Sequence, residues 1–380
     1  MPMNKKIASA LAAALASALL LGGCSSLFRS GTPHEPADLV RLKGSAQTAA
    51  AWSVRVGKSE NSFLTPAVTS NAIYAAGSDS LSRIDPSNGS LVWSARVKSE
   101  VTSGVGSDGY YAALGTADGQ VVVFSAEGRE LWRKTLSAEM DMPPLVGRDL
   151  VIVHTSDTRI TAFRAKTGEQ VWRYQGQVPI LSVRAPRQMI FFADGLLVGN
   201  AGGKLIGVSM AGKPALEAAI SQPSGITEVE RLNDVVGAPL VTGGLLCAAT
   251  YQGRLTCMSS RNGETRWSAK VDAVTGPTAD SRAVYVVDSK GVIHAYSKDS
   301  GAELWKNATM TYRANSSPVP LGRYLACGDF EGYVHLLDPL TGSEQGRGRL
   351  SGAVVTNPVA VGDGAVFQTN KGEVALVRAR

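Results

Sequence analysis

Ala283-Val284-Tyr285-Val286-Val287, Asp288-Ser289-Lys290-Gly291, Val292-Ile293-His294-Ala295-Tyr296 and then Ser300-Gly301-Ala302-Glu303-Leu304-Trp305 form the stretch that decides the fold. Two short β-branched and aromatic runs flank a turn of Asp, Ser, Lys and Gly, which predicts strand, turn, strand. A glycine turn and a further short strand follow, with Trp305 four residues after Gly301. The same grammar recurs along the chain. Of the six tryptophans, Trp93, Trp132, Trp172, Trp267 and Trp305 sit four residues after Gly89, Gly128, Gly168, Gly263 and Gly301. The hairpin turn recurs eight times, at 77–80, 116–119, 156–158, 201–203, 251–253, 288–291, 329–332 and 369–372. A proline precedes the first strand of most units (Pro66, Pro144, Pro186, Pro239, Pro277, Pro318, Pro358), and Val105 takes that place in the second. Amphipathic helix periodicity is absent outside the N-terminal leader, apart from a possible turn at 215–220.

A period of about 40 residues built only of strands is the pattern of propeller blades, which bury their faces by stacking radially. The ends of the chain complete the count. The eighth unit, 358–380, stops before any Gly-x3-Trp strand, while Trp52 in Ala49-Ala50-Ala51-Trp52-Ser53-Val54-Arg55-Val56 has no hairpin before it. The expected architecture is therefore all-β: one eight-bladed β-propeller of four-stranded blades over residues 49–380, its last blade closed by the N-terminal strand. The tryptophans are expected to pack between blades rather than to form a stacking platform for a ligand. Two units lack the residue, with Leu216 after Gly212 and Gly346 after Gly342.

The leader has its own signature. Met3-Asn4-Lys5-Lys6 precedes an uncharged run at 7–21, which ends in Leu21-Gly22-Gly23-Cys24. A basic start, an apolar run and small residues before a cleavage point describe a signal peptide. The run of 15 residues is short for a bilayer span, which takes roughly 20. Its ending resembles the bacterial lipobox, which implies removal of residues 1–23, lipidation of Cys24, and a tether over 24–48. Ser25 and Ser26 follow where lipoproteins retained in the inner membrane commonly carry Asp, so the expected location is the periplasmic face of the outer membrane. Loss of Lys5 and Lys6 lowers the formal charge from +6 to +4, too mild for a dedicated nucleic-acid binder. The four histidines, His34, His154, His294 and His335, show no metal-ligand spacing. Cys247 and Cys257 flank the turn at Gln252-Gly253 and could be a disulfide or two buried thiols, while Cys327 has no obvious partner.

The repeats, clearest in Asp338-Pro339-Leu340-Thr341-Gly342 and Arg83-Ile84-Asp85-Pro86-Ser87-Asn88-Gly89, resemble the pyrroloquinoline-quinone (PQQ) propeller repeat. With a lipobox and eight units, the mature chain resembles the BamB family, the propeller lipoproteins of the outer-membrane β-barrel assembly machinery. That resemblance implies a non-enzymatic scaffold that binds the POTRA domains of the barrel-forming subunit and assists insertion of outer-membrane proteins, possible direct partners as nascent chains. The family docks through a Leu-Ser-Leu-Arg segment and a Glu-x-x-Arg-Leu-x-Asp-Val segment. They map onto Leu181, Ser182, Val183 and Arg184, with Val183 replacing Leu, and onto Glu228, Arg231, Leu232 and Asp234. A further family acid two residues past Asp234 is Val236 here. The second segment falls where the interval between turns, Gly203 to Gly253, stretches to 50 residues.

The competing expectation is a quinone- or ligand-binding propeller related to PQQ-dependent dehydrogenases. Those enzymes carry adjacent cysteines and a Glu/Asn/Asp calcium set. No two cysteines are adjacent here, and Asp79, Asp108, Asp118, Asp157, Asp288 and Asp329 are scattered turn residues. No catalytic residue, metal site or cofactor is expected. Because acylation depends on the Cys24 thiol, Cys24→Ser is expected to move the folded chain from the membrane to the soluble periplasmic fraction. Cell fractionation checks this, and retention in the pellet without any partner would contradict the lipobox.

Overall fold

The computed structural model describes residues 34–42, 46–59, 64–179, 181–183, 185–354 and 356–380. Cys24 and the leader lie outside the described residues. Eight antiparallel four-stranded sheets follow one another as the blades of a propeller, within the unit Ala37–Arg380. Blade one runs Ala67–Val68, Ile73–Gly77, Ser80–Ile84 and Leu91–Arg96 from axis to rim, and blades two to seven repeat that order. All eight expected turns join the second and third strands of a blade.

Burial explains the composition of each strand. Ile73–Gly77, Leu150–His154 and Ala283–Val287 are buried at every position, because neighbouring blades cover both of their faces. Such strands read as continuous apolar runs, for the same reason that parallel sheets covered on both sides do. The rim strand Leu91–Arg96 alternates between exposed and half-buried positions. Turn aspartates act locally: Asp288 Oδ1 accepts the amides of Lys290 and Val292 at 2.9 and 2.8 Å, an Asx turn.

The tryptophans join one blade to the next. Each rim tryptophan lies over the left-handed glycine of the following blade: Trp52 over Gly89, Trp93 over Gly128, Trp132 over Gly168, Trp172 over Gly212, Trp267 over Gly301 and Trp305 over Gly342. Five of the indoles also donate to a carbonyl of that blade, Trp93 to Ala126 at 2.8 Å, Trp132 to Ala165 at 2.8 Å, Trp267 to Lys298 at 2.9 Å, and Trp52 and Trp305 to Pro86 and Pro339 at 3.0 Å. Gly301 shows why glycine is required. Its φ is +72°, and a Cβ there would stand 2.6 Å from the Trp267 ring. Gly263 has nearly the same φ, +73°, but nothing lies within 4 Å of its would-be Cβ, because blade four carries Leu216 where its tryptophan would be.

Closure follows the expected route. Thr48–Arg55 pairs antiparallel with Glu373–Ala379 and forms the rim strand of blade eight, with Trp52 opposite Leu376. Across the seam, Gln368 Nε2 donates to the Ala76 carbonyl of blade one at 2.8 Å. The approach of this strand explains the missing tryptophan of blade seven. Ala46 bridges Gly346 in parallel, and a Cβ at Gly346 or Gly348 would fall 1.8 Å from the Ala46 oxygen or 1.7 Å from Thr48 Oγ1. Further upstream, Arg313 donates to the Ala37 carbonyl at 3.0 Å and Arg347 to the Val40 carbonyl at 2.7 Å. Blade seven therefore carries the incoming chain on its rim.

Two local expectations are corrected. Residues 215–220 form no helical turn; Pro214–Ala219 is the rim strand of blade four, since pairing with Lys204–Ser209 overrides the helix preference of Ala, Leu and Glu. Pro239 does not precede its strand but lies within Val235–Thr242, at the irregularity between Val236 and Leu240, where a missing amide disturbs no ladder bond. Cys247 and Cys257 are directly opposed on adjacent strands and joined by a disulfide, while Cys327 is a buried free thiol.

The glycine pair yields a differential test. Gly263→Ala should cost about 1–2 kcal/mol, the ordinary penalty of a left-handed Ala. Gly301→Ala should cost about 1–3 kcal/mol more, because the Trp267 ring must also move. Urea unfolding of both variants measures the gap, and equal losses would contradict the interlock.

Candidate docking surface

Two connectors between blades stand out from the ring. The first leaves the blade-three rim strand Gln170–Gln175 and reaches Ile190 in blade four. Within it Val178 and Leu181 are 66% and 48% exposed. The second runs from Ala219 in blade four to Val235 in blade five. Its roots are buried and bonded: Thr256 Oγ1 donates to the Ile220 carbonyl at 2.7 Å, and Asn233 Nδ2 to Ser221 Oγ at 3.2 Å. Its tip is a capped turn. Glu230 Oε2 accepts the amides of Ile226 and Thr227 at 2.9 and 3.1 Å, while Thr227 Oγ1 accepts the Glu230 amide at 3.2 Å. The bonds from the Thr227 and Ile226 amides hold the Glu230 carboxyl below its usual range. Ile226 and Val229, three residues apart on this turn, are 98% and 62% exposed.

Asp234 ties the two connectors together. Its carboxylate, 1% exposed, accepts the Val183 amide at 2.7 Å. Burial pushes its pKa up, against the bond from Val183 and the nearby Arg187 charge. A second tie lies three residues on, where Gly237 donates to the Pro186 carbonyl at 2.8 Å.

The expected residues thus divide into two sets. Leu181, Ser182, Glu228 and Arg231 are exposed, Val183 and Leu232 are half-buried, and Asp234 is enclosed. Arg184 lies outside the described residues. Asp234 fixes the position of one loop against the other, while the exposed members face solvent. The sequence reading did not single out Val178, Ile226 and Val229, exposed apolar side chains on the same two connectors. Ile226 and Val229 stand inside a polar insertion, where nothing local could bury them.

The family model for "Outer membrane protein assembly factor BamB" matches residues 77–307 and 289–380. The chain belongs to the BamB family. BamB of Bordetella pertussis is 36% identical to it over 373 residues, covering 97% of this chain and 96% of that protein. The crystal structure of BamB from Moraxella catarrhalis superposes with a TM-score of 0.80 at 28% identity, over 87% of this chain and 99% of that one. A quinohemoprotein alcohol dehydrogenase from Pseudomonas putida superposes with a TM-score of 0.66 over 91% of this chain and 78% of its own, but at 13% identity, a likeness of fold alone.

In this BamB-family ring several turn aspartates bond within their own turns. Asp108 accepts the amides of Tyr110 and Tyr111, and Asp118 and Asp157 take the hydroxyls of Thr116 and Thr155. Among the described residues no group of three or more His, Cys, Asp or Glu side chains could hold a metal ion. Asp288 and Asp329 instead join histidine networks. His294 faces Asp288 at 3.1 Å and Glu303 at 3.3 Å. His335, fully enclosed, faces Glu344 at 2.6 Å through Nδ1 and Asp329 at 3.2 Å through Nε2. Both nitrogens meet carboxylates, so both must donate, and only the imidazolium does that. Arg313 completes this cluster on Asp329 and Glu331, and Arg347 on Glu344 at 3.0 Å.

The cluster has a pH signature. Burial alone would lower the His335 pKa, but the bonds to Asp329 and Glu344 outweigh it and hold the pKa above 6.5. Its stabilising contribution is complete below pH 6.5 and is lost as the pH rises through the raised value. Asp329 works in the other direction. Burial would raise its carboxyl, but His335 and Arg313 bring it below 3.8, so its contribution is lost only as the pH falls through that lowered value. The urea midpoint is therefore expected to fall as the pH rises from neutral, and His335→Gln should flatten that slope. An unchanged slope in the variant would contradict a buried imidazolium.

Proposed function

We propose that this chain is a non-catalytic scaffold of the outer-membrane β-barrel assembly machinery, held by lipid on Cys24 at the periplasmic face of the outer membrane. Through loops 178–186 and 221–234 it docks the POTRA domains of the barrel-forming subunit and so assists insertion of outer-membrane proteins. One observation carries this reading. Two loops tied by the Val183–Asp234 bond present Val178, Leu181, Ile226 and Val229 to solvent beside the exposed Glu228 and Arg231. Apolar anchors with a neighbouring guanidinium are the usual core of a binding patch, and a rigid ring holds them without an ordering cost at every encounter. Nascent strands have a separate opportunity at the rim. Leu91–Arg96 carries Leu91 and Val92 at 47% and 50% exposure along an unpaired edge, where an extended segment could add in β fashion.

Binding of the purified barrel-forming subunit to Leu181→Asp, Ile226→Asp and Arg184→Glu tests the docking surface. Removing a central anchor typically costs about 2 kcal/mol or more, a roughly thirtyfold loss of affinity. Because Leu181 and Ile226 are exposed, the thermal midpoint of their variants should stay at that of the parent. Wild-type affinity in all three variants would overturn the proposal.

A further inference from the structure

Arg187 is 8% exposed at the root of the first loop, three residues past Arg184. A buried guanidinium beside a solvent-exposed connector is costly unless it is paired. Its Nη2 donates to Asp141 Oδ2 at 2.5 Å, and Asp141 Oδ1 meets His154 Nδ1 at 2.7 Å. His154 ends the fully buried second strand of blade three, so the side chain of Arg187 is fastened to a rigid blade. Its backbone is fastened elsewhere. Arg187 bridges Gly237 of blade five in parallel, between the bond from Gly237 to the Pro186 carbonyl and the bond from Gln188 to the Gly237 carbonyl. Gly237 in turn packs so closely on Gly276 that a Cβ there would stand 2.1 Å from the Gly276 Cα. The same guanidinium acts electrostatically on Asp234, the acceptor of the Val183 amide.

We propose that Arg187 is a positioning residue for the docking loops, joining Asp141, on the connector into blade three, to the first strand of blade five so that loop 178–186 is held in one register against Asp234. This rests on the docking function proposed above. Residue 187 stands on the connector from blade three to blade four and bridges blade five through its backbone, and the junction between blades four and five is the one where Gly263 receives no tryptophan. Arg187 supplies a cross-brace beside that junction, its side chain on Asp141 and its backbone on the first strand of blade five. Arginine suits the position because its planar fork can satisfy one carboxylate while its charge reaches a second. Touching no partner itself, it raises affinity by keeping the binding-competent arrangement of the loops populated.

Full-length Arg187→Met and Arg187→Lys test the assignment, with hydrogen exchange and POTRA binding measured on the same preparations. In Arg187→Met the amides of Val183 and Gly237 should exchange about tenfold faster or more, while those of blades one, seven and eight keep their parental rates. Affinity for the POTRA domains should fall about tenfold, the size expected if the competent loop arrangement drops to a tenth of the population. Arg187→Lys keeps the charge and should recover part of both effects. Unchanged local exchange, or exchange accelerated equally in all blades, overturns the positioning role. Local acceleration with undiminished binding overturns its bearing on docking, and docking itself fails separately if Leu181→Asp and Ile226→Asp also bind normally. If Arg187→Met does not fold, Asp141→Asn, which removes the paired charge and keeps the shape, carries the same readouts.

Discussion

A tryptophan lying in the left-handed turn of the next blade is the contact on which the ring depends. Four-stranded sheets that stack radially need a contact that fixes both spacing and angle, and apolar β-branched faces alone can slide. The indole adds a flat surface and one hydrogen bond with a defined direction, while the receiving glycine removes the only atom that would block the approach. Tryptophan and glycine of one unit serve different interfaces. Trp305 reaches forward to Gly342, whereas Gly301, four residues before Trp305, receives Trp267 of the preceding blade. Each repeat is therefore a link with a hook on one side and an eye on the other.

The two missing hooks have different physical meanings. At blade seven the rim is occupied by the N-terminal segment, whose backbone comes so near Gly346 and Gly348 that no side chain fits. The hook is replaced by chain. At blade four nothing takes its place over Gly263, and this is the junction from which the long connector to blade five projects. The two blades still meet through an apolar core, Leu197 and Leu205 with Leu246 and Met258, while polar groups hold the connectors nearby: the Asp141–Arg187 pair, the Val183–Asp234 bond and the Thr256 hydroxyl on the Ile220 carbonyl. These polar contacts give direction at the base of two loops, which apolar contacts alone would not. Buried ionic pairs of this kind add little net stability, but they are exacting about geometry.

Architecture was legible because it is written in local chemistry. Asp-x-x-Gly turns, apolar runs covered on both faces and the Gly-x3-Trp spacing each follow from a single blade, and the complementary fragments at the ends betray closure. What stayed hidden depends on contacts between strands and between blades. No spacing within a unit tells that Gly301 exists for Trp267 rather than for Trp305. Residues 215–220 carry helix-forming composition, yet the rim pairing decides their state. The cysteine pair remained open until the register placed Cys247 opposite Cys257. Within the two connectors the family motif pointed to segments that the structure ties together, but a charged residue on a connector is ordinarily solvated, so the burial of Asp234 and Arg187 had no signal in the sequence.

Thr48–Arg55 belongs to the same sheet as Glu373–Ala379, so the strand made earliest waits for the one made last. During synthesis seven blades can assemble behind it, each from neighbouring residues, while Trp52 has no sheet to join. Contacts at such separation form late and slowly, and an unpaired edge is exposed to proteases and to other chains in the interval. The final strand thus acts as a checksum. A product truncated before Glu373 keeps nearly all of its local structure yet cannot bury Trp52 against Leu376, and it presents two open edges to the quality-control machinery. The ring distinguishes finished from unfinished chains by geometry alone.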